Sequence, residues 1–272
     1  MLPTMREPRQ PGTPSGVHHE RRGSGAPLLL LHGIGHRWQA WTPVLERLDE
    51  FDAVAVDLPG FGLSPALPGG QPRAVADLTD RIEDLLDELG WPQAHIVGNS
   101  LGGWIAFELA QRGRALSVTA LAPGGLTVGG FGRRRWWFLA WVHGARLMGP
   151  NAPLLRTRVG RTLALSLLFG KPWRIPAQIA VEDARALAGS PTLPMLESIL
   201  DAHFTGGRDI AVPVTVAWAS RDPLFGPNNC TVGELPAQTR VVMLPGCGHV
   251  PTWDDPELVV AVLRETVAAV GG

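Results

Sequence analysis

Six short apolar runs, each closed by a glycine or a turn and separated by helical patterns, limit what this chain can fold into more than any other feature. They are Pro27–His32, Ala53–Val56, His95–Val97, Val118–Leu121, Pro213–Trp218 and Val241–Leu244. Their hydrophobicity is nearly continuous rather than alternating, which predicts strands buried on both faces. Between them, Asp77–Leu89 sets Leu78, Ile82, Leu85, Leu86 and Leu89 on one helical face and stops at Gly90. A last helix is expected to start near Asp254, where the carboxylates of Asp254 and Asp255 suit a helix N-terminus and Pro256 suits the first turn. Strands and helices alternating in this way predict an α/β fold: a mostly parallel central sheet with helices on both faces. The alternation lapses from about Gly125 to Ile210, where helix-compatible apolar stretches are cut by prolines. The expected division is therefore a core domain of residues 1–124 and 211–272 with a helical insertion over 125–210, a size that 272 residues can support.

Composition narrows the chemistry. The chain has one lysine, Lys171, and no tyrosine. Lys171 precedes Pro172, and Leu165 stands where a phosphate-binding loop needs its first glycine, so that loop is excluded. Schiff-base chemistry would rest on Lys171 alone, and a mechanism that needs a phenol is excluded. Ser, His, Asp, Glu, Cys and Arg remain. A net charge of −1, with the arginines scattered apart from Arg133–Arg135, predicts no attraction to nucleic acid or to an anionic membrane. Cys230 and Cys247 form neither a metal-ligand pair nor a disulfide framework, and no metal or cofactor is expected. Met1–Gly16 lacks the apolar run of a secretory signal, and no stretch approaches the roughly 18 apolar residues of a spanning helix. The expectation is a soluble, cytoplasmic protein with a small-molecule substrate, no nucleic acid partner and no stable membrane insertion; the oligomeric state is open.

The strongest chemical signal is Gly98-Asn99-Ser100-Leu101-Gly102, followed by Gly103, between the strand His95–Val97 and a helix from about Leu101 to Arg112. A serine on so sharp a strand-to-helix turn needs small neighbours, and its helix N-terminus can aim the Leu101 N–H at a developing oxyanion. A serine hydroxyl is a poor nucleophile until a base takes its proton. His249, in Gly246-Cys247-Gly248-His249-Val250-Pro251 just after the last strand, is the candidate base. Asp222, in Trp218-Ala219-Ser220-Arg221-Asp222-Pro223, is the candidate acid that would fix its tautomer. The loop Ala122-Pro123-Gly124-Gly125 holds no competing acid, and Asp57 stands too early for the chain order Ser, Asp, His. A second oxyanion donor is expected from the Ile34 N–H in His32-Gly33-Ile34-Gly35, with His32 itself structural.

Taken together, HGIG (His32–Gly35), DLPGFG (Asp57–Gly62), GNSLGG (Gly98–Gly103), WASRDP (Trp218–Pro223) and GCGHVP (Gly246–Pro251) resemble the α/β-hydrolase superfamily from about Ala26 to the C-terminus. The resemblance implies the α/β-hydrolase fold, with the insertion acting as a cap, or lid, over the nucleophile and lining the acyl or alcohol pocket. It leaves the substrate open, because this superfamily hosts many chemistries. The family usually places two antiparallel strands ahead of the HG loop; only Val17–Arg22 looks like one, and Met1–Gly16 is too rich in proline to supply the other convincingly. A serine nucleophile separates the chain from dehalogenases and epoxide hydrolases that use aspartate, and the missing tyrosine further disfavours epoxide opening. The leading expectation is a serine esterase acting through an acyl-enzyme on a small to medium apolar substrate. The alternatives are hydrolysis of a carbon–carbon bond in a vinylogous diketone and a slow-turnover binding protein. Arg133–Trp141 invites a membrane reading, but Trp136, Trp137, Phe138 and Leu139 point in four directions on a helical wheel. A buried cap helix with a polar N-terminal edge is the expectation instead, and with the pocket-lining role that the resemblance implies for the cap, the substrate site is expected to be apolar and lined by tryptophan.

Overall fold

The computed structural model describes residues 15–67, 75–128, 134–148, 153–190, 199–200 and 202–271. Seven strands form one sheet: β1 (His19–Arg22), β2 (Ala26–Leu31), β3 (Phe51–Val56), β4 (Ala94–Asn99), β5 (Ala115–Leu121), β6 (Val214–Ala219) and β7 (Arg240–Leu244). Their order is β1-β3-β2-β4-β5-β6-β7, with β1 antiparallel to β3 and every other pair parallel. All six predicted apolar runs are strands, and β1 forms within Val17–Arg22. The question of a further strand in Met1–Gly16 falls almost wholly outside the described residues.

Strand periodicity sends neighbouring side chains to opposite faces. Leu28 and Leu30 pack with Val44 and Leu45 of α1 (Thr42–Leu45), while Leu29 and Leu31 pack with Leu78 and Ile82 of α2 (Val75–Glu88) and Ile105 of α3 (Leu101–Gln111). All four β2 leucines are fully buried, each worth about 1.5–3 kcal/mol of transfer free energy. The sheet edge behaves differently. Val241 and Met243 of β7 are about half exposed on one face, whereas Val242 and Leu244 on the other pack in the cluster that holds Val259 and Leu263.

Between β5 and β6 the described residues form α4 (Arg134–Met148), α5 (Pro153–Arg156), α6 (Arg158–Leu165) and α7 (Ala177–Gly189), and Thr127, ahead of these helices, bridges to Cys230 beyond β6. α4 does present an apolar face: Phe138, Leu139 and Val142, one turn apart, are buried in the same cluster as α2 and α3. Sequence periodicity missed it because Trp136, 71% exposed, lies off that face. Trp173 is also exposed, so neither of these tryptophans lines a buried pocket; the side chains of Trp137 and Trp141 lie outside the described set. The chain ends in α8 (Pro256–Ala268), capped by Asp255, whose Oδ1 accepts the Leu258 N–H at 3.1 Å.

Candidate active site

β4 ends at Asn99 and α3 begins at Leu101, leaving Ser100 alone to turn the chain. It does so at φ 54°, ψ −115°, a conformation that costs a non-glycine residue about 1–3 kcal/mol. Four backbone hydrogen bonds hold it there. The Ser100 carbonyl accepts N–H groups from Gly103, Trp104 and Gly124 at 3.0, 3.2 and 2.9 Å, and its own N–H donates to Leu121 at 3.0 Å. A Cβ on Gly98 would collide with the Gly102 carbonyl, and one on Gly102 with that of Leu31, which explains both flanking glycines.

Asp222 follows β6, and His249 lies in the loop after β7. The His249 Nδ1 donates to Asp222 Oδ2 at 2.8 Å, and both side chains are buried. Asp222 Oδ1 accepts the N–H groups of Leu224 and Phe225 at 2.7 and 3.2 Å, so the carboxylate is fixed from both ends. The Phe225 ring stacks on the imidazole, centroids 5.1 Å apart. With Nδ1 donating to the carboxylate, the neutral ring keeps its lone pair on Nε2. Asn99 links this pair to the turn: its Nδ2 donates to the carbonyls of Leu121 at 3.0 Å and His249 at 2.8 Å. The HGIG loop reaches the same turn, since a Cβ on Gly33 would stand 3.0 Å from the Ser100 Cβ. Ser100 with Leu101, Ile34, Asp222 and His249 thus come from four connections, after β4, β2, β6 and β7, that converge on one end of the sheet.

Other polar residues of these loops are occupied by backbone groups. The His32 Nδ1 donates to the Gly33 carbonyl at 2.7 Å while its Nε2 accepts the Leu58 N–H at 2.9 Å, a pattern only the neutral ring can satisfy. Asp57, 1% exposed, accepts the N–H groups of Trp38 and Leu63 at 2.7 and 3.0 Å and faces His18 at 3.0 Å, so it braces a turn rather than pairing with His249. Burial pushes the His32 imidazole down to about 4, against a raising hydrogen bond to Gly33. Its contribution to stability is therefore complete above pH 6.5 and lost as pH falls through 4. Between pH 7.5 and 4.5 the loss should reach about 2–3 kcal/mol. Urea titrations at the two pH values should show that extra slope in the wild type and a reduced one in His32→Asn.

The insertion rests on these loops. Gly35 meets Leu187 of α7, and Arg37 bonds Asp183 and Glu182 of the same helix, each at 3.0 Å. The Val250 N–H donates to the Leu168 carbonyl at 2.9 Å. Asp254 does more than the sequence suggested. Instead of capping the last helix, its fully buried carboxylate accepts the Gly248 N–H at 2.7 Å together with those of Gly170 and Lys171 at 2.8 and 2.6 Å. One carboxylate thereby joins the His249 loop to the insertion, and the chain's only lysine donates to the Asp254 carbonyl at 3.0 Å. Two clefts of about 580 Å³ lie near this end of the sheet, one between Arg37, Leu63 and Ser190 and one between Pro223, Asn229 and Met243. Neither is lined by Ser100 or His249.

A model of the alpha/beta hydrolase family matches residues 28–262. The chain is 33% identical over 219 residues to the epoxide hydrolase EphH of Mycobacterium tuberculosis, covering 70% of this chain and 95% of that one. It is 30% identical over 226 residues to the putative carbamate hydrolase RutD of Azorhizobium caulinodans, covering 78% and 80%. Among solved structures, a 2-hydroxy-6-oxo-6-phenylhexa-2,4-dienoate hydrolase from Rhodococcus sp. strain RHA1 superimposes with a TM-score of 0.73 at 21% identity, covering 94% of this chain and 97% of that one.

Proposed function

Because this chain belongs to the alpha/beta hydrolase family, we propose that it is a serine hydrolase of carboxylic esters bearing apolar groups, with residues 125–210 as the cap over its site. His249 Nε2 takes the Ser100 hydroxyl proton as Oγ attacks the ester carbonyl, and Asp222 stabilises the imidazolium that forms. The N–H groups of Ile34 and Leu101 receive the oxyanion. The imidazolium returns its proton to the departing alkoxide, leaving an acyl-enzyme. Water, deprotonated by the same imidazole, then attacks the acyl carbon, and the imidazolium returns that proton to Ser100 Oγ as the acid departs. The observation that carries this reading is the strained Ser100 turn whose neighbour Asn99 hydrogen-bonds the backbone of the histidine paired with buried Asp222.

The relative named an epoxide hydrolase raises a second chemistry. Epoxide opening by an aspartate nucleophile with tyrosine donors has neither group available here, since Ser100 occupies the turn and the chain has no tyrosine. A panel of p-nitrophenyl esters, lactones, vinylogous diketones and epoxides, assayed with wild type and Ser100→Ala, tests the proposal. Ester turnover with a p-nitrophenol burst, absent in Ser100→Ala, together with fluorophosphonate labelling of Ser100, is expected. Equal ester hydrolysis by both proteins would sink it, and labelling without sustained turnover would favour a slow-turnover binding protein.

Asn99 is the positioning residue in this scheme. Asn99→Ala releases the His249 carbonyl from the serine turn, and a misplacement of the order of 1 Å can cost up to about 10²-fold. A fall of that size in kcat, with Asp222→Asn showing no further dependence on residue 99, would mark it as acting through the histidine.

A further inference from the structure

The near-zero net charge conceals an uneven distribution. Nine of the chain's 24 basic residues, and none of its 25 acidic ones, lie between residues 125 and 181. Local hydrogen bonds tie part of this stretch together. Thr157 caps α6, accepting the Gly160 N–H at 3.0 Å, and Gly160 packs tightly against the Leu154 carbonyl. Arg161 donates to the carbonyls of Leu155 and Arg156 at 3.0 and 3.1 Å, tying α6 to α5. The opposite side of α6 faces solvent. Val159 and Leu163, one turn apart, are 69% and 70% exposed, and Leu154 of α5 is 44% exposed. Trp173 is exposed in the short 3-10 turn Pro172–Arg174 that adjoins α6. Arg156 and Arg158 are exposed beside these residues, and among the described residues neither forms an ion pair with a carboxylate.

A single exposed leucine is ordinary, but several large apolar side chains interleaved with unpaired arginines on adjoining turns are not. We propose that this α5–α6 face docks the protein on an anionic lipid surface. The guanidinium groups of Arg156 and Arg158 pair with lipid phosphates, and Val159, Leu163 and Trp173 enter the boundary between headgroups and acyl chains. An acidic protein or a nucleic acid would satisfy the arginines and leave the apolar side chains without a partner. The attachment is peripheral, since among the described residues no helix is long and apolar enough to cross a membrane.

The test is flotation of the full chain with vesicles of phosphatidylcholine alone and of an equimolar phosphatidylcholine and phosphatidylglycerol mixture. Binding to the mixed vesicles that weakens with salt is expected, with little on the neutral ones. Arg156→Gln with Arg158→Gln should lower partitioning by about 25-fold, roughly fivefold per arginine. Val159→Asp with Leu163→Asp should lower it by at least about 100-fold. Both pairs lie far out on the surface, so both proteins should keep wild-type circular dichroism and turnover of a water-soluble ester. No binding to mixed vesicles, or equal binding to both compositions, would overturn the proposal. So would binding that ignores Val159→Asp with Leu163→Asp, which would assign the arginines to an acidic macromolecule instead.

Discussion

Asp222→Asn is expected to lower kcat on any ester substrate by about 10⁴-fold with the fold intact. The reason lies in how the carboxylate is used. Oδ1 accepts two backbone N–H groups, from Leu224 and Phe225, and Oδ2 accepts the His249 Nδ1 proton. An amide has one oxygen, and keeping it on the two backbone donors turns its NH₂ toward His249 Nδ1. The imidazole must then accept at Nδ1 and carry its proton on Nε2, where it cannot take the proton of Ser100. The imidazolium also loses its counter-charge in a buried setting. Steady-state rates with a p-nitrophenyl ester, alongside thermal melts, check this. Activity within tenfold of wild type would mean that the acid is elsewhere. Asp57 is a poor substitute because its oxygens are committed to Trp38, Leu63 and His18.

The parts of this arrangement that follow from local rules were readable in the chain. Strands buried on both faces must be continuously apolar, so β2 through β6 announce themselves. The elbow is equally local: glycines at 98 and 102 are required by backbone approaches within a few residues or in the adjoining strand. Ser100, Asp222 and His249 could be chosen because each directly follows a strand. What escaped depends on contacts between distant segments. Asn99 reads as one residue of a tight turn until the carbonyl of His249, 150 positions away, is placed against its amide. Asp254 reads as a helix-capping acid, a local role common just before such a helix. Its donors Gly170 and Lys171 come from the insertion, more than 80 residues earlier, and only the folded chain brings them to it. The exposed tryptophans failed for a related reason: abundance of an aromatic in a segment says nothing about which side of a helix meets the core. Placing Trp136 and Trp173 required knowing that α4 turns Phe138, Leu139 and Val142 inward.

Ser100→Ala and Ser100→Gly should be equally inactive and differ in stability. Removing the nucleophile is expected to lower kcat by about 10⁴- to 10⁶-fold, the remainder coming from substrate binding and the oxyanion donors. Alanine keeps a Cβ at φ 54°, ψ −115°, whereas glycine has none and adopts such angles freely. Relief of about 1–3 kcal/mol of strain is opposed by the roughly 0.5–1 kcal/mol of extra chain entropy that glycine loses on folding. Ser100→Gly should therefore unfold about 1–2 kcal/mol harder than Ser100→Ala in urea. Equal stabilities would mean that the strain at the turn is no larger than the roughly 0.5–1 kcal/mol of chain entropy that glycine loses, and a glycine more than about 1 kcal/mol less stable would overturn the steric account of the elbow even if the catalytic one stood. The expected gap would show why this conformation persists. The three N–H groups on the Ser100 carbonyl and its own bond to Leu121 outweigh the strain, and the side chain is left projecting from a turn that no relaxed backbone would make.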